Sequence, residues 1–359
     1  MDIDQLKEKQ GELESNITDR RLEIRTDRLD MSFGEIMNMY EDEEIVIDPE
    51  FQRAFRWNEN KQTRFIESLI LEIPFPPIFV AEDKENIWEL VDGLQRISTV
   101  LSFFGKLKDQ SKNNLKLKKG SIIEELEGFT VETMPTKYKT MIKRAVCRVE
   151  VIRLDSSFNM RYEAFKRLNT GGEELSKQEI RNCIFRGYDN KFNSFINDLS
   201  KYDEFQNVIF ISDEEKEKMY YQELVLRYLT LKTEGPNFED TIQDYMDEFM
   251  LKLSTNPEYI NYEREKEIFN KVLEIINGLD INAFKLHRNF STSMYDSIMI
   301  GFANNIDYIS SLDNEKIINL IEELKDNSDF RENTGSSSSS RHRVSKKIKI
   351  ANNIFSSRE

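Results

Sequence analysis

The sequence has almost none of the residues that build metal centres. It carries two histidines, His287 and His342, and two cysteines, Cys147 and Cys183. That excludes most histidine-rich metal sites and leaves no His-Asn-His nuclease constellation. Two cysteines cannot form a zinc site by themselves, and they fit a reducing compartment such as the cytoplasm. No apolar run approaches the length that crosses a bilayer. The opening stretch, residues 1–10, is polar and acidic, unlike a secretory signal. Positive charge is also short, because the formal net charge is -15. Nucleic acid repels such a chain as a whole, so any DNA contact has to come from a local basic patch.

Large apolar side chains are plentiful. Of 359 residues, 24 are Phe and 13 are Tyr, and 38% are hydrophobic. That is enough to build a core. The length suits two modest domains, or one domain with a helical extension.

Residues 1–20 are charged with sparse apolar positions, which reads as an exposed helix or a frayed arm. Leu22 to Arg25 alternates like a short strand. Ser32 to Tyr40 has helical spacing with Phe33, Ile36 and Met37 on one face. Glu44 to Ile47 is a strand candidate. Asn58 caps a helix whose apolar face is Phe65, Ile66, Leu69, Ile70 and Ile73, ended by Pro74, Pro76 and Pro77. Two strands follow, Ile78–Val80 and Ile87–Val91, with Asp83 to Asn86 as the turn. Asp92-Gly93 opens a helix bearing Ile97, Val100, Leu101 and Phe104. Residues 105–120 read as a lysine-rich solvated loop, Phe129 to Cys147 as a turn and helix, and Arg148 to Leu154 as a strand. From 158 the pattern is helical. Gly171-Gly172 breaks a helix, and Ser176 to Glu179 is a capping box. Further helices are expected near 218–233, 239–253, 261–278, 291–303 and 314–325. Five serines, Ser336 to Ser340, mark a flexible stretch, and the tail from Arg341 is basic.

Chemistry concentrates at Asp92-Gly93-Leu94-Gln95-Arg96. A strand that runs straight into a helix leaves the first N–H groups of that helix aimed at whatever precedes it, an arrangement that favours phosphate. Gly93 permits close approach. Arg96 can grip phosphate oxygens, Asp92 can hold a divalent cation or orient a water, and Gln95 both donates and accepts. These residue types equally describe a strand–helix turn with a surface arginine and a capping aspartate. A second segment, Phe51-Gln52-Arg53-Ala54-Phe55-Arg56-Trp57, reads either as a ligand lid or as a loop anchored by its aromatics. In a third, Arg167 and Asn169 precede Gly171-Gly172, which by itself fits a helix C-cap. Arg181 is a weaker candidate. Glu223 and Arg227, four apart, read as a surface pair on one helix.

Phe51-Gln52-Arg53, the proline-rich Ile73 to Ile78, Asp92 to Arg96, and Arg167-Leu168-Asn169-Thr170-Gly171-Gly172 occur together in one order. In that order they resemble the N-terminal domain of GmrSD-type modification-dependent restriction enzymes and related phage-defence proteins. That family is marked by an Asp-Gly-Gln-Gln-Arg motif, and here Leu94 replaces its third residue. The match is good over roughly residues 21–190 and looser beyond.

The resemblance implies an α+β fold, with a ParB/sulfiredoxin-like small mixed sheet and helices followed by a mainly α-helical domain. The parts expected are an arm at 1–20, the ParB-like domain at 21–155, a helical domain at 156–330, a serine-rich loop at 331–345 and a C-terminal segment at 346–359. It implies a nucleoside triphosphatase of a restriction or antiviral system that uses Mg2+. Asp92, Gln95 and Arg96 would be catalytic, with Asp92 as metal ligand. Gln52, Arg53, Gly93, Ser98, Thr99, Arg167 and Asn169 would bind nucleotide. With too few histidines for a His-Asn-His domain, either cleavage would fall to a partner nuclease chain or the protein does not cleave DNA. A non-catalytic DNA-binding module is the alternative, resting on the lysine-rich loop and on Arg341, Arg343, Lys346, Lys347 and Lys349. A ParB-like nuclease acting through Asp92 is a thinner one. A homo-oligomer is compatible with either, and no membrane role is expected.

Overall fold

A computed structural model describes residues 3–47, 55–154, 156, 158–168, 176–186, 190–239, 241–286, 289–335 and 338–357. The chain divides into two compact units, Met1–Glu174 and Leu175–Glu359.

The first unit is α+β. Its elements in order are α1 (Ile3–Leu22), β1 (Thr26–Ser32), α2 (Phe33–Glu41), β2 (Ile45–Val46), α3 (Glu59–Ile70), β3 (Ile78–Glu82), β4 (Trp88–Asp92), α4 (Leu94–Phe104), α5 (Thr136–Arg144), β5 (Val146–Ile152) and α6 (Phe158–Leu168). The five strands form a mixed sheet in the order β1-β5-β3-β4-β2. β1 is antiparallel to β5, β5 parallel to β3, β3 antiparallel to β4, and β4 parallel to β2. Asp92 pairs with Phe79 in the β3–β4 register, so the motif leaves the sheet beside the proline-rich entry to β3.

The helical spacing fixes which faces are buried. Phe33, Ile36, Met37 and Tyr40 of α2, Phe65, Ile66 and Leu69 of α3, and Ile97, Val100 and Leu101 of α4 are all buried with Ile78, Val80, Val149 and Val151 of the sheet. The Asn58 side chain accepts from the Lys61 N–H and starts α3, as the sequence predicts. The β3–β4 turn closes on Asp83, whose carboxylate accepts from the Glu85 and Ile87 N–H groups.

Two sequence expectations change here. α1 continues through Leu22, and the first strand is Thr26–Ser32 rather than 22–25. β1 is an edge strand with mostly exposed side chains, so it has no apolar alternation to read. Its register is set across the β5 pairing, with Arg28 on Glu150 and Arg148 on Asp30. The lysine-rich loop is also less free than expected. Leu107, Leu115 and Leu117 are buried, and the buried Glu67 carboxylate accepts from Ser121, Ile122 and Ile123. Burial alone would raise the Glu67 pKa. The hydrogen bonds outweigh it and hold the carboxyl below its ordinary value.

The second unit is helical, with α7 (Lys177–Arg186), α8 (Asn190–Ser200), α9 (Tyr220–Glu234), α10 (Ile242–Thr255), α11 (Tyr262–Asn277), α12 (Thr292–Asn304), α13 (Asn314–Asp326) and α14 (Arg341–Phe355), plus shorter turns of helix and a two-stranded ribbon. Ser176 and Glu179 make the expected capping box at the start of α7. The basic tail is helix α14, which packs Val344, Ile348, Ala351 and Phe355 inward. Among the described residues no helix is long and apolar enough to cross a membrane.

Candidate functional site

β4 delivers Asp92 to a one-residue turn at Gly93, and α4 starts at Leu94. Gly93 has φ 103°, in the left-handed region. A Cβ there would also lie 2.5 Å from Ile78 Cγ2. Both facts require glycine: the backbone conformation is strained for other residues, and β3 fills the space. No side chain caps the start of α4, and its first turn holds no acidic residue.

Arg96 is nearly buried and spans two elements. One guanidinium nitrogen donates to Asp92 Oδ2 at 2.8 Å and another to the Pro76 carbonyl at 2.6 Å. The arginine that the sequence assigns to phosphate is therefore held by its own motif and by the proline-rich segment. Its partner is more open, because the Asp92 side chain is 35% exposed against 11% for Arg96. An ion pair with one carboxylate facing water can exchange that partner for a ligand anion.

Gln95 ties the second segment to the first. Its Oε1 accepts from the Arg56 and Trp57 backbone N–H groups at 3.1 and 3.0 Å. Trp57 packs edge-on against Phe65 of α3, and its carbonyl accepts from Gln62. The residues that follow Gln52-Arg53 are thus pinned to the first turn of α4. Gln52 and Arg53 themselves lie outside the described residues, as does Asn169.

The other predicted residues are placed differently. Ser98 and Thr99 are fully buried within α4, and the Thr99 hydroxyl donates to the Gln95 carbonyl. Arg167 is exposed on α6 and pairs with Glu163 at 3.3 Å. Arg181 is sealed in the second unit, with Nε 2.5 Å from Asp247 and another nitrogen 2.6 Å from Gln243 Oε1. Among the described residues no group of three or more His, Cys, Asp or Glu could hold a metal ion.

Sequence reading missed three features. Pro76 supplies an acceptor through its backbone, which no side-chain pattern reveals. A cleft of about 990 Å3 opens at the same end of the sheet, lined by Leu69, Phe75, Pro77, Met141, Arg144 and Arg148 among others, and by none of the motif residues. The third is in the second unit. Arg227 does not form the expected surface pair with Glu223 but points inward, with two nitrogens on the two Asp296 oxygens at 2.6 Å each. Asp296 is distant in sequence, so only the packing of α9 on α12 brings it there.

Several of the lysines offered for DNA contact are already engaged. Lys106 pairs with Glu41, Lys108 with Glu43, Lys118 with Glu59 and Lys119 with Glu124. Lys347 of the basic tail is buried and donates to Ser293 Oγ and the Ser338 carbonyl.

No curated protein matches the sequence. A solved Pnob8-like ParB-N domain aligns at 12% identity over 93% of this chain and 99% of that chain, with a TM-score of 0.24, which carries no argument about topology. The family model described as the GmrSD restriction endonuclease N-terminal domain matches residues 33–186, from the first residue of α2 to the last of α7. This stretch contains the proline-rich segment, the Asp92–Arg96 turn, the segment pinned by Gln95, and Arg167. Residues 33–186 of the chain belong to the GmrSD restriction endonuclease N-terminal domain family.

Proposed function

We propose that the Asp92–Arg96 turn binds a magnesium–nucleoside triphosphate, and that this binding regulates a restriction-type defence activity on DNA whose endonuclease centre lies on a partner chain. The observation that carries this reading is the double hydrogen bond from the Arg56 and Trp57 N–H groups to Gln95. It brings the chain that follows Gln52-Arg53 to an uncapped helix start beside Gly93, where oriented N–H groups favour phosphate. Gln95 is in this reading a positioning residue. Arg96 moves from Asp92 onto phosphate oxygens, keeping its hold on Pro76. Asp92 is then released toward magnesium or a water, which is the chemistry hydrolysis requires. One carboxylate suffices for the metal, because magnesium at such sites takes its other ligands from phosphates and water. Four lysines of the 106–119 loop are paired with carboxylates, which lowers the free charge that this loop can offer DNA.

The test is thermal unfolding of the chain with a panel of nucleoside triphosphates, each with and without magnesium. A ligand at about 100 times its Kd adds roughly 2.7 kcal/mol to the folded state and raises the melting temperature. No shift with any triphosphate would sink the reading.

A further inference from the structure

Helix α1 presents, from Gln5 to Arg21, a surface that the first unit does not bury. Every side chain from Gln5 to Arg21 is exposed, and Leu6, Leu13 and Ile17 keep 43%, 57% and 48% of their surface in water. A solitary helix of this length is marginal in water, and Gly11 in its middle weakens it by about a further 1 kcal/mol relative to alanine. The apolar positions are not scattered. Ile3, Leu6, Leu13 and Ile17, with the polar Gln10 between them, fall in steps of three and four, the seam of a coiled coil. Ile3, Gln10 and Ile17 occupy its a positions and Leu6 and Leu13 its first two d positions, and the seam ends where Arg20 takes the third. β-Branched residues at a with leucine at d favour two parallel strands, and a single polar a residue fixes register. The flanking charges agree. In a parallel pair Lys9 at g faces Glu14 at e of the other strand, and the two-fold axis makes that attraction twice.

We infer that α1 pairs with α1 of a second copy of this chain as a parallel, in-register two-stranded coiled coil. Gln10 meets Gln10 at the axis, and the apolar seam leaves water. This surface is remote in sequence from the Asp92–Arg96 turn and does not depend on how that turn is used.

Sedimentation or light scattering of the full chain gives the mass as concentration rises. The expected mass climbs from one chain to two. Leu13→Lys holds it at one chain, with the main unfolding transition unchanged because the residue is exposed. Glu14→Lys weakens the pair and Lys9→Glu with Glu14→Lys restores it, which an antiparallel pair, where these residues do not meet, would not do. Gln10→Cys gives an oxidant-dependent covalent dimer. The inference is overturned by a wild-type chain that stays single at the highest attainable concentration, by a Leu13→Lys chain that still doubles, or by a charge reversal that restores nothing.

Discussion

Arg96 and Arg227 are both arginines buried beside an aspartate, one in each unit, and they differ in what lies outside the pair. Arg227 meets both Asp296 oxygens at 2.6 Å, and the two side chains are 5% and 0% exposed. Burial alone would depress the Arg227 pKa, but the aspartate outweighs it and raises it, so the arginine stays charged. Arg96 reaches one oxygen of an aspartate that is a third exposed, and spends another nitrogen on a backbone carbonyl. The first pair is closed on all sides and can only hold helices together. The second has an edge that water, and therefore a ligand, can reach. A buried arginine is thus a poor guide to function until the exposure of its partner is known.

The contrast breaks most visibly at the sealed pair. Asp296→Ala leaves the Arg227 charge buried and alone, which costs about 3–5 kcal/mol. Chemical denaturation followed by circular dichroism reads this loss, and a change below about 1 kcal/mol would mean that water reaches Arg227. Gly93→Ala comes next. A side chain at φ 103° costs about 1–3 kcal/mol, and its Cβ meets Ile78. The melting temperature falls and the Asp92–Arg96 geometry shifts; an unchanged melting temperature would refute the strained turn.

The last effect sharpens the comparison at Lys347, whose charge feels Asp296. Burial pushes its ammonium down to about 8 from an ordinary 10.5. The unfolded chain therefore binds more protons between those values, so stability from this residue rises with pH across that window. Lys347→Met lacks the rise. The melting temperature of the wild type relative to this variant should climb from pH 8 to pH 10. A flat difference would contradict the assignment.

Much of the first unit is legible in sequence because its helices bury one face each. Phe33-Ile36-Met37, Phe65-Ile66-Leu69 and Ile97-Val100-Leu101 sit at helical spacing and are buried. β1 was not legible, since its side chains are mostly exposed and its partner β5, met through Arg28–Glu150 and Arg148–Asp30, lies far along the chain. The motif turn was visible as a strand, a glycine and a helix start. Its resting arrangement was not, because the Pro76 carbonyl and the Arg56 and Trp57 N–H groups carry no side-chain signature. Arg227 misled for a related reason: Glu223 stands four residues before it, while Asp296 comes from another helix.

The most direct measurement is calorimetric titration of magnesium–nucleoside triphosphate into the wild type and into Arg96→Ala, with folding of both verified by circular dichroism. The account predicts saturable binding by the wild type and its loss in the folded Arg96→Ala chain. Equal affinity in the two would contradict it, because the triphosphate would then be held somewhere other than the Asp92–Arg96 turn.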